Sequence, residues 1–228
     1  RKALEVVFCS GLDDAPILDD IIDLADENKV PMREISRGKF DALTRTESSQ
    51  GVLAMAQPVP EHDLDDLARA VDPVTGQNPF LLLVDGVTDP GNLGALLRSA
   101  ECAGVTGVIL PKHRAVHLSP TVTKAAAGAI EHLPMGLVAG LPAAITRLRE
   151  LGVWVVGLDG AADDSLFDLN LATEPVALVM GSEGKGLSRL VAQRCDSVVS
   201  IPLRGALGSL NVSAAGTLAC YEVARRRR

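Results

Sequence analysis

The sequence predicts an α/β fold built on parallel sheets in two successive segments. Three observations carry that prediction. Short apolar runs alternate with stretches of helical periodicity along the whole chain. Several runs, among them Phe80–Val84 and Val176–Met180, are apolar throughout, as strands covered on both faces are. A Pro- and Gly-bearing break at 72–79 interrupts the alternation once and then lets it restart.

The first segment, 1–71, opens with Val6–Cys9 as a buried strand. Pro16–Lys29 reads as a helix: Ile17, Ile21, Leu24 and Ala25 share a stripe, and Pro16 suits a first-turn position. Val30–Ile35 is a strand, and Ser36–Leu43 a short helix with Ser36 as a cap. Gly51–Ala56 is a third strand and Leu64–Val71 a helix. Alternation on this scale predicts a small α/β layer domain.

The second segment, 80–228, begins with the strand Phe80–Val84 and a helix over Asn92–Ala103, with Leu93, Leu96, Leu97 and Ala100 on one stripe. Gly107–Leu110 is a strand. Ser119–Ala127 is a helix capped by Ser119, with Pro120 at its first position. Pro142–Leu151 is a helix; Val153–Leu158, Val176–Met180 and Ser197–Ile201 are strands; a helix from Asn211 to about Arg225 closes the chain. Trp154 lies in an apolar strand and is expected in the core.

Composition narrows the class. Of 228 residues, 47% are hydrophobic and 22% charged, which excludes a disordered or collagen-like chain. The weakly polar stretch 133–145 is broken by Pro134, Gly136, Gly140 and Pro142 and is too short for a membrane span. The chain opens at Arg1 without Met, so a fragment of a longer chain is expected. Cys9, Cys102, Cys195 and Cys220 form no C-x-x-C pair, and His62, His113, His117 and His132 no ligand pattern. Reduced thiols, a cytoplasmic location and no metal are expected. Residues 1–78 carry 8 basic and 16 acidic side chains, and residues 79–228 carry 14 and 13. Such acidity excludes RNA binding by bulk charge but leaves room for a local basic groove.

Three loops at predicted carboxyl ends of strands are rich in Gly and polar residues: 85–100, 180–188 and 201–213. Ligands of open parallel sheets bind at such ends. No phosphate-binding loop, dinucleotide fingerprint or nucleophile elbow is present. Taken together, the loops resemble the SpoU (TrmH-like) family of RNA ribose 2′-O-methyltransferases, of the SPOUT class. The resemblance lies in Asn92 with Arg98 six residues on, in Gly181-Ser-Glu-Gly184 after a strand, and in Ile201-Pro202 followed by Ser209-Leu-Asn-Val-Ser213 and a helix. Residues 1–71 look like the ribosomal-protein-like substrate-binding domain of that family, although its usual His-Gln-Gly is here Ser49-Gln50-Gly51.

The resemblance implies a trefoil-knotted parallel-sheet domain that binds S-adenosylmethionine and works as a homodimer on RNA, with no membrane and no metal. Gly181, Ile201 and Leu210, with Met180, Pro202, Leu203 and Gly160, would hold the cofactor. Arg98 would lower the pKa of the ribose hydroxyl or move its proton, because a neutral hydroxyl is a poor nucleophile. Asn92, Glu183, Ser209 and Asn211 would orient Arg98 and the ribose. Arg98, Lys185 and Arg204 would meet RNA, with Arg33, Arg37 and Lys39 a further basic cluster. Dimer burial would cover apolar surface on the closing helix (Val212, Ala215, Ala219) or its neighbours. The layout is most similar to the branch that methylates a guanosine of 23S rRNA; the tRNA and antibiotic-resistance branches share the motifs.

Simpler readings stand beside these. Arg98 and Glu101 could be an exposed pair. Asn92, Ser209 and Asn211 could be helix caps, and Glu183 could favour a helix N-terminus. Arg225–Arg228 could be an RNA-contacting tail or a frayed end. A noncatalytic RNA-binding protein of the same fold is the rival from another class. Six aromatics in the chain leave it little for stacking bases.

Overall fold

The computed structural model describes residues 1–44, 49–112 and 118–228; His113 and His117 lie outside the described residues. The chain divides into two compact units, Arg1–Val59 and Pro60–Arg228.

In the first unit, β1 (Ala3–Cys9) runs through α1 (Pro16–Glu27) into the parallel β2 (Met32–Ile35), then through α2 (Arg37–Thr44) into β3 (Val52–Ala56), antiparallel to β1. The sheet order is β2-β1-β3. Residues alternate across a strand. Val7 and Cys9 therefore share one face and bury Phe40 of α2 between themselves, Leu12, Ile35 and Leu53.

The second unit begins earlier than the sequence break suggests. Helix α3 (Leu64–Arg69), expected to close the first segment, contributes Leu67 and Ala68 to the second unit's core. The Pro-rich break at 72–79 marks a turn inside this unit: the Asp72 carboxylate accepts from the amides of Val74 and Thr75. A break in composition shows where the chain turns and not which core a helix joins.

Seven strands follow: β4 (Phe80–Val84), β5 (Gly107–Pro111), β6 (Met135–Val138), β7 (Trp154–Leu158), β8 (Asp164–Ser165), β9 (Val176–Met180) and β10 (Ser197–Ser200). Their order is β6-β5-β4-β9-β7-β10-β8, and every pairing is parallel. The two all-apolar runs, β4 and β9, lie side by side and are wholly buried. The helices are α4 (Pro90–Cys102), α5 (Pro120–Ala125), α6 (Leu141–Glu150), α7 (Arg189–Arg194) and α8 (Val212–Arg226). Two glycines let helices approach α4 closely. A Cβ on Gly94 would stand 2.4 Å from the Ala125 methyl, and one on Gly216 would stand 2.2 Å from Leu96 Cδ1.

Two expectations about packing change. Trp154 is the first residue of β7 and is 44% exposed, so it stands at the edge of the core and not within it. Val212 and Ala219 are buried within their own chain and Ala215 is half-buried, so the large exposed apolar residues of α8 are Leu218 and Tyr221. Burial pushes the thiols of Cys195 and Cys220 up to about 12, which keeps them protonated and unreactive. All four cysteines are free, Cys102 being exposed.

Arg225, Arg226 and Arg227 are tied back onto the second unit, while Arg228 is exposed. Arg225 and Arg226 pair with the buried Glu222, and their hydrogen bonds hold its carboxyl down at about 2. Arg227 donates to four backbone carbonyls: Ala172 at 2.7 Å, Asn78 at 2.5 Å, Glu174 at 2.8 Å and Pro79 at 3.2 Å. Its guanidinium lies 5.2 Å from the Phe80 ring centre. One planar fork thus ties the end of α8 to the strand that opens the sheet. Arg227→Ala is expected to lower unfolding stability by about 2–3 kcal/mol, since several carbonyls lose a charged donor at once. Arg227→Lys should recover only part of this, and a shift in denaturant midpoint at constant slope would measure both.

Candidate active site

From β4 the chain moves outward through β5 and β6, crosses back to β7 and β8, and only then places β9 between β4 and β7. The direction of winding therefore reverses at the centre of the sheet. Loops diverge there and leave a crevice at the carboxyl ends. A cavity of 440 Å³ occupies it, lined by 158–161, by 180–186 and by residues drawn from the stretches 199–203 and 208–215. These follow β7, β9 and β10 and lead into α8. The floor is apolar, with Leu158, Met180, Val199, Ile201, Leu203 and Leu210; Asp159, Glu183 and Lys185 bring charge to it.

The first loop reaches the same place through Asn92. Asp89 caps α4 by accepting from the Asn92 amide at 2.7 Å, with Pro90 in the first turn. Asn92 is therefore not the cap, and its side chain is free to bridge. Its Nδ2 donates to Glu183 Oε2 at 3.2 Å, and its Oδ1 accepts from Asn211 Nδ2 at 2.8 Å. Asn211 is at once cap and bridge, for its Oδ1 accepts from the amides of Ser213 and Ala214 at the start of α8. One chain of hydrogen bonds joins side chains 119 and 91 residues apart from each other in sequence.

The second loop is folded tightly on itself. Ser182 and Gly186 exchange both backbone hydrogen bonds at 3.0 Å. Asp85, at the end of β4, holds the far side: its amide donates to the Met180 carbonyl and its carboxylate accepts from the Ser188 amide, both at 2.7 Å. Gly181 makes this fold possible, since a Cβ there would stand 2.2 Å from the Gly186 carbonyl carbon. The need is for close approach.

Of the residues singled out from sequence, Gly160, Met180, Gly181, Glu183, Lys185, Ile201, Leu203, Ser209 and Leu210 line the cavity. Asn92 and Asn211 join its rim through Glu183. Pro202 and Arg204 are not among the lining residues, although their neighbours in the loop are. Arg98 is also outside the lining. It is exposed on α4, about 9 Å along the axis from Asn92. It makes no hydrogen bond or ion pair with any described residue, Glu101 included. Sequence reasoning missed Asp159 and Asp85. Both follow wholly apolar strands, and an acid at such a carboxyl end was the available signal. No group of His, Cys, Asp or Glu among the described residues could hold a metal ion. No helix among them is long and apolar enough to cross a membrane.

S-adenosylmethionine fits this cavity chemically. Its volume lies in the range of small-molecule sites. The apolar floor suits a flat adenine, and the charged groups suit an amino acid and a sulfonium.

Comparison with known proteins agrees. The family model described as "SpoU rRNA Methylase family" matches residues 79–221, and that for "RNA 2'-O ribose methyltransferase substrate binding" matches residues 1–70. The chain is 45% identical over 196 residues to the 23S rRNA (guanosine-2'-O-)-methyltransferase RlmB of Shewanella oneidensis, covering 85% of this chain and 77% of that one. It is 40% identical over 226 residues to the RlmB of Escherichia coli, covering 98% and 90%. The crystal structure of the SpoU methyltransferase AviRb from Streptomyces viridochromogenes, in complex with AdoMet, superposes with a TM-score of 0.80 at 26% identity, covering 99% of this chain and 83% of that one. With three loops gathered on one cofactor-sized cavity and both family models matched in order, this chain belongs to the SpoU rRNA methylase family and is an S-adenosylmethionine-dependent RNA ribose 2′-O-methyltransferase.

Proposed function

We propose that this protein methylates the ribose 2′-oxygen of a guanosine in 23S rRNA. The hydrogen-bonded chain Glu183–Asn92–Asn211 at the cavity rim carries the proposal. It fixes the three motif loops relative to one another where a ribose would meet the cofactor. The RlmB relatives, matched over most of both chains, support the substrate.

S-adenosylmethionine supplies an electrophilic methyl group. The protein must orient the ribose and help its hydroxyl lose a proton as it attacks. Asn92, Glu183, Ser209 and Asn211 orient the ribose; the hydrogen bonds shared by Asn92, Glu183 and Asn211 limit the rotamers of those three before RNA arrives. Arg98 acts on the hydroxyl. Arginine stays protonated at working pH. Its part is therefore to lower the hydroxyl pKa by stabilising the developing oxyanion, beside an RNA phosphate, while the proton leaves to solvent water. Gly160, Met180, Gly181, Ile201, Leu203 and Leu210 hold the cofactor, with Pro202 shaping the loop between Ile201 and Leu203. Arg204 meets RNA at the open side of the third loop.

The trefoil knot belongs to the same proposal. It is supported by the late insertion of β9 between β4 and β7 and by the loop after β10, which lines the same cavity as 180–186. The protein is also proposed to be a homodimer through its second unit. Leu207, Leu210, Leu218 and Tyr221 are all at least 38% exposed around the third loop and α8, an apolar surface suited to a second copy. The first unit binds substrate RNA through Arg33, Arg37 and Lys39. The protein works in the cytoplasm, where its RNA is.

The test is to incubate the chain with methyl-labelled S-adenosylmethionine and unmodified 23S rRNA, tRNA or ribosomal precursor particles, then digest the RNA to nucleosides. Label is expected in 2′-O-methylguanosine from 23S rRNA, free or in particles. Label in tRNA alone would overturn the substrate. Bound cofactor with no label in any RNA would favour the noncatalytic rival.

A further inference from the structure

Three charged side chains line the cavity, and one is already engaged. Glu183 accepts the hydrogen bond from Asn92. Asp159 and Lys185 form no ion pair with each other or with any other described residue. Asp159 is nevertheless fixed in place. Asp159 Oδ1 accepts from the Ala161 amide at 3.0 Å, a local turn that fixes the carboxylate. Asp159 Oδ2 lies against Gly186, so near that a Cβ on this glycine would stand 2.7 Å from it. Lys185 is the residue just before Gly186. A carboxylate and an ammonium, neither paired with an opposite charge among the described residues, therefore line one cavity.

Such a pair selects its ligand by charge. When a ligand excludes water, an unmatched charge costs free energy, whereas a matched and hydrogen-bonded one does not. Adenine and ribose are neutral and match neither group. A singly charged ligand would match one and strand the other. The amino acid end of S-adenosylmethionine is a zwitterion and matches both. We propose that Asp159 and Lys185 clamp this end, Asp159 taking the α-ammonium and Lys185 the α-carboxylate. The proposal rests on the reading of this cavity as the cofactor site. Lys185 then serves the cofactor, in place of the RNA phosphate expected from sequence.

Calorimetric titration of the full chain tests the clamp without turnover. Wild type, Asp159→Asn and Lys185→Gln are each titrated with four ligands: S-adenosylmethionine, S-adenosylhomocysteine, decarboxylated S-adenosylmethionine and 5′-methylthioadenosine, which lacks the amino acid. Loss of one charge-assisted contact should weaken binding about ten- to a hundredfold. Asp159→Asn should weaken the first three ligands to that extent and leave 5′-methylthioadenosine within about twofold. Lys185→Gln should weaken S-adenosylmethionine and S-adenosylhomocysteine and spare the decarboxylated compound. A variant that weakens all four ligands alike, or none, removes its residue from the clamp. Failure of the wild type to bind S-adenosylmethionine would instead overturn the reading of the cavity, and the clamp with it.

Discussion

Arg98→Ala is expected to keep its affinity for S-adenosylmethionine and to lose methyl transfer by about 10²–10³-fold, the range for removing one donor to a developing oxyanion. Affinity should survive because Arg98 does not line the cavity and supports no residue that does. It is a guanidinium on the exposed side of α4 with no partner among the described residues. Rate should collapse because the 2′-hydroxyl needs help only as it attacks; an interaction made only then appears in kcat. Arg98→Lys separates two readings of that help. If Arg98 acts by its charge alone, lysine restores most of the loss. If it must grip a phosphate and the ribose oxygen together, lysine restores little, since an ammonium has no planar fork. Single-turnover rates with cofactor affinity measured in parallel decide the matter. A variant within tenfold of wild type would remove Arg98 from the chemistry.

The position of Arg98 also bears on what sequence could reveal. Strands β4 and β9 were legible because FLLLV and VALVM have no polar face, and only a doubly covered strand tolerates that. Strand β6 was not, because Pro134, Gly136 and Gly140 punctuate MGLV and read as a loop. The two-residue β8 and the single-turn-scale α7 are too short for any period to register. Trp154 was misjudged because an apolar run does not say which of its residues stands at the edge of the core. The site divides in the same way. Each motif loop was visible as a cluster of glycines and polar residues, but its meeting with the others depends on β9 entering between β4 and β7. That is a long-range event with no local signature, so resemblance to a family had to supply it. Asn92 shows the limit most clearly: its neighbours suggested a cap, yet Asp89 takes that duty and frees it to bridge Glu183 and Asn211.

Gly181→Ala is expected to fail in the opposite way, losing cofactor affinity first. The added methyl would meet the Gly186 carbonyl carbon at 2.2 Å, its oxygen at 2.4 Å and the Leu187 amide nitrogen at 2.5 Å. All three are backbone atoms, so no side chain can turn aside to admit it. The loop must open at the paired Ser182–Gly186 hydrogen bonds, and with it move Glu183 and Lys185, which line the cavity. Overpacking a closed contact costs about 1–3 kcal/mol. If most of that falls on the loop, affinity for S-adenosylmethionine drops about ten- to a hundredfold. Gly205→Ala is the matched control, since a Cβ there meets nothing within 4 Å. Calorimetry should find it unchanged. Equal affinity for wild type and Gly181→Ala would show that the loop opens freely, and the tight turn would then not be what shapes the site. Because Arg98→Ala keeps the cofactor and Gly181→Ala keeps the arginine, mixing the two variants probes the proposed dimer. Where one protomer's Arg98 serves its partner's cavity, mixed dimers recover transfer that neither variant has alone; where each chain completes its own site, mixing recovers nothing.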